Sequence, residues 1–160
     1  MVELTRPTIL NLGAGNRIVT GAVNHDISAH RPEINVVHDL DVVPWPWPDD
    51  TFEHIEAWAV LEHLKLTLVE VLNECWRILR PDGSLRVKLP FWNADQSWAD
   101  PTHRWQFSLR VFDQFDPDTM RGKEYSFYTP RKWRITHPAE MTCASSFYCV
   151  LTPRKGEGTS

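Results

Sequence analysis

Short apolar runs, each closed by glycine or a polar residue, mark the first half of the chain. The run TILNL at 8–12 stops at Gly13, and its length and closing glycine predict a buried strand. Before Pro81-Asp82-Gly83, apolar residues at helical spacing predict a helix over 64–79. Further runs predict strands at 22–27, 34–40, 52–60 and 84–89. The order of these elements predicts an α/β fold with a mostly parallel sheet.

The links between the first three predicted strands are too short for complete crossover helices. Nine residues, 14–22, separate the first two strands, and six, 28–33, separate the second from the third. A crossover between parallel strands usually needs about a dozen residues or more. We therefore expect the first crossover helices to be shortened or missing. Exposed aromatic residues, or a partner subunit in a homodimer, are then expected to cover the sheet.

The pattern becomes irregular after residue 89. Residues 90–107 are rich in tryptophan, phenylalanine, aspartate and histidine without a clear period, and so long a loop predicts a functional role. Beyond it, Ser108 is expected to cap a short helix over 109–115. Two closing strands are predicted at 132–136 and 146–152.

Length and composition fit one globular domain. The 160 residues contain no linker or internal repeat, which predicts a single domain over 1–153 and a flexible tail over 154–160. The net charge of −4 argues against nucleic acid as a partner. Three cysteines are too few for a disulfide framework, and neither a membrane-spanning run nor a signal-peptide pattern is present. These features predict a cytoplasmic protein with reduced thiols and no membrane partner.

The segment ILNLGAGNR, Ile9–Arg17, ends its strand in a glycine turn of the kind that holds nucleotides. Gly13 and Gly15 lack a Cβ, so the backbone there can approach a ligand closely. The pattern is incomplete for a dinucleotide, because Asn16 stands where a third glycine often lies and the following helix is short. From this segment alone, a tight turn without a ligand is the alternative.

Five segments in order resemble the class I S-adenosylmethionine-dependent methyltransferases. They are LNLGAGN, NHDIS, VVHDLDVVPWPWPDDTFEHIEAWAVLEHL, NECWRILRPDGSLRVKLP and DPTHRWQF. The resemblance implies a Rossmann-like, mostly parallel sheet of the class I type, here in a minimal version. It also implies S-adenosyl-L-methionine as the cofactor and methyl transfer as the activity.

The resemblance assigns cofactor contacts to the ends of the first four strands. Asp26 takes the place of the acid that binds both ribose hydroxyls, with a local turn as its alternative role. Asp39 and Leu40 take the place of the adenine-binding pair, and Asp41 competes with Asp39. Asn11 stands where the family often has an acid, so it brings no charge to the methionine end. The complete candidate set is Asn11, Gly13, Ala14, Gly15, Asn16, Asp26, Ile27, Asp39, Leu40, Trp58 and Ala59.

Methyl transfer to a hydroxyl or a protonated amine needs a base. His103 of the DPTH segment is the leading candidate, with Asp100 as its orienting partner, and His63 is the other candidate. Glu62 either caps the following helix or takes part in catalysis. Asp100 and His103 have a structural alternative, which is to fix a surface loop. The acceptor is expected to be enclosed by Trp98, Trp105 and Phe107.

A metal is not required for this reaction, and no metal site is predicted. The aspartate and histidine of DPTH are only two possible ligands on one loop, which is a weak metal signal.

The segment PWPWPDD cannot form a regular helix or strand, because its prolines alternate with Trp45 and Trp47. One interpretation makes these rings cover the sheet where a helix is missing. The other stacks one of them on adenine.

Three functions fit the sequence. The first is a methyltransferase that acts on a small-molecule or glycan acceptor. The second is a non-catalytic protein that binds S-adenosylmethionine or serves as a scaffold. The third, an NAD-dependent oxidoreductase, fits least well because of the incomplete glycine pattern.

Overall fold

Seven strands form one sheet in a computed structural model of the protein, which describes residues 8–156. The strands are β1 (Ile9–Leu12), β2 (Val23–Asp26), β3 (Val36–Val37), β4 (Phe52–Trp58), β5 (Leu79–Pro90), β6 (Trp133–Cys143) and β7 (Ser146–Pro153). The spatial order is β3-β2-β1-β4-β5-β7-β6. The first five strands are parallel, and β7 runs antiparallel to both of its neighbours. The mostly parallel sheet is therefore confirmed.

One helix, α1 (Leu68–Ile78), is longer than five residues within 8–156. It begins later than predicted because Thr67 and Glu70 form a reciprocal capping box at its start. The predicted helix over 109–115 is wrong. Its apolar spacing reflects burial of Phe112 and Phe115, but only one 3₁₀ turn forms there. The remaining elements are α2 (Gln96–Ala99), α3 (Met120–Glu124) and the 3₁₀ turns Leu61–His63, Asp113–Phe115 and Ser126–Tyr128.

The first two crossovers contain turns and no helix, as the short links predicted. The link between β1 and β2 instead makes polar contacts with the strands beneath it. Asn11 Nδ2 donates to the Arg17 carbonyl at 2.7 Å and to Asn24 Oδ1 at 2.9 Å. Val19 N donates to the same Asn24 oxygen at 3.0 Å. Hydrogen bonds therefore take the place of the apolar packing that a helix would supply.

The two faces of the sheet differ in chemistry. The covered face packs against α1 in the hydrophobic core. It is defined by a row of residues paired across neighbouring strands, Leu10, Ile55, Leu85 and Leu151. The polar face lies on the opposite side of the sheet. It is defined by two rows of paired residues, Asn11-Glu56-Arg86 and Trp58-Lys88-Tyr148. A polar strand face needs little cover, which explains how the fold tolerates the missing helices.

Trp45 and Trp47 are buried in the core on the covered face. Trp45 Nε1 donates to the Leu40 carbonyl at 2.9 Å, and Trp47 contacts Phe52 edge-to-face with ring centroids 5.8 Å apart. Arg77 donates to the carbonyls of both tryptophans and so fixes this segment to α1. The rings therefore cover the sheet, but they do so on the face that carries α1 and not on the face beneath the helix-free link between β1 and β2.

The last hairpin is longer than predicted. Most of the expected connection between the two closing strands belongs to β6, whose register shifts on either side of His137. Pro138 lacks an N–H group and cannot donate to the ladder, which is consistent with this irregularity. The three cysteines are unpaired, as expected. None of the described helices combines the length and apolar character needed to cross a bilayer.

The end of the described chain makes specific contacts. Arg154 Nη2 lies 3.0 Å from Asp116 Oδ1, and Lys155 Nζ donates to the Leu79 carbonyl at 2.5 Å. The remainder of the predicted tail, 157–160, lies outside the described residues, as do residues 1–7.

Candidate functional site

The glycine turn after β1 is held against the end of β4. Gly13 and Gly15 have φ of +57° and +51°, a region that side chains disfavour. A Cβ on Gly13 would lie 2.4 Å from Val60 Cγ2, so this position has no room for a side chain. Around Gly15 the space is open, and the nearest atom to an added Cβ is 3.9 Å away. Gly13 therefore serves packing, while Gly15 leaves room beside the turn.

The imidazole ring of His25, in β2, also holds the glycine turn in place. Gly13 N donates to His25 Nδ1 at 3.3 Å, and His25 Nε2 lies 2.9 Å from the His38 carbonyl, which can only accept. The ring is therefore neutral, with its proton on Nε2. Burial lowers the pKa of His25 and favours this form.

Asp26 is positioned by the backbone at the end of β2. Its Oδ2 accepts from Gly15 N at 2.8 Å, and its Oδ1 accepts from Ile27 N at 2.7 Å. Each oxygen keeps a further lone pair for a ligand. A cavity of about 170 Å³ lies beside it. The predicted residues that line this cavity are Gly13, Asp26, Ile27, Asp39 and Leu40.

The structure divides the other predicted cofactor residues into two groups. Trp58 and Ala59 line a neighbouring, larger cleft. Four of them line neither space; these are Asn11, Ala14, Gly15 and Asn16. Asn11 is buried with its amide occupied, and Asn16 accepts from Arg31 at 3.0 Å. These groups are therefore engaged in holding the turn.

Asp39 and Asp41 differ in their partners. Asp39 Oδ1 accepts from Asp41 N at 3.0 Å within its own loop. Asp41 Oδ1 accepts from Lys65 N at 2.6 Å and from Leu66 N at 3.1 Å. Asp41 thus fixes the segment before α1, and Asp39 keeps more capacity to accept from a ligand.

The larger cleft, of about 870 Å³, has two chemically different sides. Arg17 and Lys88 form a cationic side, and Arg17 lies 3.9 Å above the Trp58 ring. The opposite side carries imidazole and carboxylate groups from the loops after β4 and β5. His63 lines both the cleft and the small cavity, so the two spaces meet at this residue.

Glu62 lies buried in the 3₁₀ turn after β4 and is 1% exposed. Burial raises the pKa of Glu62 to about 7. Its backbone carbonyl accepts from Arg104 N at 2.7 Å and Trp105 N at 3.3 Å, which ties the loop after β5 to this turn. The side chain does not cap α1, since Thr67 has that role. The capping alternative for Glu62 is therefore wrong.

His63 and His103 point their Nε2 atoms toward the same Glu62 oxygen. The separations from Glu62 Oε1 are 4.0 Å for His63 and 3.9 Å for His103. His103 Nδ1 donates to the Ser97 carbonyl at 3.1 Å, and this bond orients its ring. Burial lowers the pKa of His63, with the charge of His103 as a second cause.

Asp100 faces His103 at a longer distance than a hydrogen bond. Its Oδ2 lies 3.7 Å from His103 Nε2. Its Oδ1 accepts from Thr102 N at 2.8 Å and from Thr102 Oγ1 at 2.7 Å. These bonds lower the pKa of Asp100. Asp100 thus fixes the loop, and Ser97 is the residue that orients His103.

The aromatic residues of this loop do not enclose the larger cleft. Phe107 is buried in the core, and Trp105 Nε1 donates to the Leu64 carbonyl at 2.9 Å. Trp98 is exposed and lines a separate pocket with Trp92. The expected aromatic enclosure of an acceptor is therefore wrong for this cleft.

Sequence reasoning missed Arg17 and Lys88 and left Glu62 undecided. The alternation of SLRVKL did contain a signal for Lys88, because it places this residue opposite the buried leucines. Arg17 had no comparable signal, since its position depends on the fold of the link after β1.

The arrangement of strands, with two neighbouring spaces at their carboxyl ends, is that of an α/β fold of the nucleotide-binding type. Residues 12–87 match the family model described as a methyltransferase domain. No curated protein matches the chain.

Solved structures share the fold at low identity. An S-adenosylmethionine-dependent methyltransferase from Archaeoglobus fulgidus is 14% identical, with a TM-score of 0.58 over 90% of this chain and 85% of that one. A protein solved in complex with the Trm112 methyltransferase activator of Haloferax volcanii is 13% identical, with a TM-score of 0.59 over 94% of this chain and 84% of that one. The [4+2]-cyclase SpnF is 14% identical, with a TM-score of 0.59 over 94% and 74%.

The family match covers just under half of the chain, and the solved structures share its fold. Residues 12–87 therefore resemble a methyltransferase domain, and the described chain has a fold that S-adenosylmethionine-dependent methyltransferases also have. The residues present fit S-adenosylmethionine, because the small cavity is lined by Asp26, whose carboxylate can accept hydrogen bonds from hydroxyl groups, and shares His63 with the larger cleft.

Proposed function

We propose that the protein transfers a methyl group from S-adenosylmethionine to a small-molecule or glycan acceptor bound in the larger cleft. The observation that carries this proposal is the junction of the two spaces at His63. Adenosine in the small cavity directs the methionine end toward the cleft. The cofactor supplies an activated methyl group, so the protein chiefly aligns donor and acceptor.

The cationic side of the cleft suits the carboxylate of the methionine end. Asn11 brings no charge to this end and is occupied by Arg17 and Asn24. Glu56 already pairs with Arg17 at 2.5 Å, whereas Lys88 has no carboxylate partner among residues 8–156. We assign Lys88 to the cofactor carboxylate.

His103 and His63 are the base candidates in this proposal. A neutral His103 that donates through Nδ1 to Ser97 carries its lone pair on Nε2, which faces the interior of the site. His63 lies nearer to the cofactor, because it lines both spaces. Loss of the true base lowers turnover about 10²-fold or more and leaves cofactor affinity nearly unchanged.

Calorimetry with S-adenosylmethionine, S-adenosylhomocysteine and NAD tests the cofactor site. We expect binding of the first two and none of NAD. Asp26→Ala should weaken binding of S-adenosylhomocysteine by about 1 to 3 kcal/mol, because it removes hydrogen bonds to a charged acceptor. Asp82→Ala, which removes an exposed carboxylate of β5 outside both spaces, is the matched control. Unchanged affinity in Asp26→Ala would place the ribose elsewhere.

Release of S-adenosylhomocysteine in the presence of pooled small alcohols, phenols, amines and monosaccharides tests the transfer itself. Release that depends on one member of the pool, and that falls in His103→Ala or His63→Ala, supports the proposal. Cofactor binding without release from a broad pool favours the non-catalytic binding protein.

A further inference from the structure

Glu62, His63 and His103 bring three possible ligand atoms together at the inner wall of the cleft. One carboxylate oxygen and one nitrogen from each ring all lie within 4.8 Å of one another. The first two residues follow β4, and the third lies in the loop after β5. The long-range bonds from Arg104 N and Trp105 N to the Glu62 carbonyl hold these two segments together.

The Glu62 carboxyl lacks compensation for its burial. Its Oε2 is buried without a hydrogen-bond partner among residues 8–156. Its Oε1 lies too far from either imidazole for a direct hydrogen bond. A buried charged group without partners is strongly unfavourable, so this group requires a proton or a cation.

The hydrogen bonds of both rings determine which nitrogen carries the lone pair. The Thr102 hydroxyl donates its one proton to Asp100 Oδ1, so His63 Nδ1, at 2.8 Å, must donate to Thr102 Oγ1. The Ser97 carbonyl can only accept, so His103 Nδ1 is also a donor. In their neutral forms, both rings therefore direct an Nε2 lone pair toward the Glu62 carboxylate.

This is the arrangement in which metal-binding histidines are held. Such a ring donates its other N–H to a carbonyl or to another polar group, which fixes both its tautomer and its orientation. Here two lone pairs and a carboxylate oxygen face each other, and none of the three can donate to the others. A cation between them would satisfy all three.

We propose that Glu62, His63 and His103 bind a divalent transition metal ion, with zinc as the best-matched ion. Two imidazoles and one carboxylate are ligands that zinc and its first-row neighbours accept, whereas magnesium and calcium prefer oxygen ligands. Ligand atoms in a tetrahedral zinc site lie about 3.3 Å apart. The observed separations of 3.9 and 4.0 Å, and the largest of up to 4.8 Å, then require the ligand atoms to approach one another by about 0.6 to 1.5 Å when the ion binds.

The fourth position of the ion would face the cleft. Asp100 Oδ2, 3.7 Å from His103 Nε2, lies on that side and is partly exposed. The proposal that the ion binds is independent of the proposed methyl transfer. Any role of the ion in the reaction of an acceptor rests on that proposed function. With the ion bound, both histidines are ligands, and a base role passes from His103 to Asp100.

Titration of the chelator-treated full-length chain with Co²⁺ and Zn²⁺ tests the proposal. The Cys143→Ser background removes the exposed thiol as a competing ligand. We expect one equivalent of Co²⁺ to give the intense visible absorption of a four-coordinate site, and Zn²⁺ to displace it and raise Tm. Glu62→Gln and His103→Ala should each weaken binding 100-fold or more. His137→Ala, which removes an exposed histidine outside the cluster, should not change it.

Thr102→Val keeps the test decisive if the buried variants fail to fold. Thr102 is exposed, and its hydroxyl contacts the ion only through His63, so affinity should fall about 10-fold. No one-to-one binding in the parent chain, or equal affinity in Thr102→Val, would overturn the metal site. S-adenosylhomocysteine binding, measured on the same samples, separates this result from a failure of the proposed function.

Discussion

The covered and polar faces of the sheet show two ways to stabilise the same strands. On the covered face, leucine, isoleucine and valine side chains pack against α1 and the buried tryptophans. On the polar face, Glu56 lies between Arg17 and Arg86, and His54 Nδ1 lies 2.9 Å from Ser84 Oγ. The covered face depends on burial, whereas the polar face depends on pairing in partial contact with water.

This difference explains how a minimal chain keeps the cofactor end of the fold. The helix-free link between β1 and β2 lies over the polar face, where the strands expose little apolar area. The other face is covered by α1 and by the buried rings of Trp45 and Trp47. The absence of a crossover helix therefore coincides with polar strand residues on the face beneath the link.

The largest expected effect comes from opening a cavity on the covered face. Trp45→Ala should lower the free energy of unfolding by about 3 to 5 kcal/mol, since the ring is 2% exposed and packed in the core. Arg86→Ala on the polar face should cost less than about 1 kcal/mol, because its pair with Glu56 is long and partly solvated. Urea denaturation of both variants measures the contrast. Equal losses would show that both faces are equally packed.

The buried Glu62 carboxyl should make stability depend on pH. The folded-state pKa of about 7 exceeds the ordinary value of 4.5, so folding favours the protonated form. Stability from this group is complete below about pH 4.5 and is lost as pH rises toward 7. The loss is on the order of 3 kcal/mol. On the polar face, the Glu56 carboxylate pairs with Arg17 and Arg86, whereas the buried Glu62 carboxyl has no such partner among residues 8–156.

Chelator-treated protein and its Glu62→Gln variant isolate this contribution by difference. Urea denaturation across pH 4.5 to 7 should show the parent chain losing stability relative to the variant as pH rises. Parallel curves would mean that Glu62 finds a partner in solution.

The smallest effect concerns thiol reactivity. Hydrogen bonds from Ser145 and Ser146 lower the pKa of the exposed Cys143 thiol to about 6, so it is largely thiolate at pH 7. Burial raises the pKa of Cys149, on the covered face, to about 12. Iodoacetamide should therefore add one label to the native chain, which mass spectrometry locates at Cys143. Labelling of Cys149 at a similar rate would show that the covered face opens readily.

Much of the fold could be predicted because its signals are local. Short apolar or alternating runs located β1, β2, β4 and β5, and the short links predicted the missing helices. The end of β6 was missed because a strand with register shifts around His137 has no clean alternation. The helix over 109–115 was predicted wrongly because apolar spacing reports burial and not helical hydrogen bonding.

The candidate site could be predicted only in pieces. The segments LEHL and DPTH each suggested chemistry, but their approach depends on backbone hydrogen bonds between residues about forty positions apart. Ser97 as the partner of His103 was equally inaccessible, because its carbonyl acts through backbone geometry. Pairing across distant loops is decided by tertiary structure, which single-sequence patterns do not encode.

The contact between Gly13 and Val60 has a consequence for how fast the proposed cofactor binds. With no room for even one added carbon between the glycine turn and the end of β4, the conformation of this turn is set before any ligand arrives. A preformed site requires no conformational step ahead of docking. Association should then follow simple second-order kinetics, with a rate that rises in proportion to cofactor concentration, and differences in affinity among variants should reside in the dissociation rate.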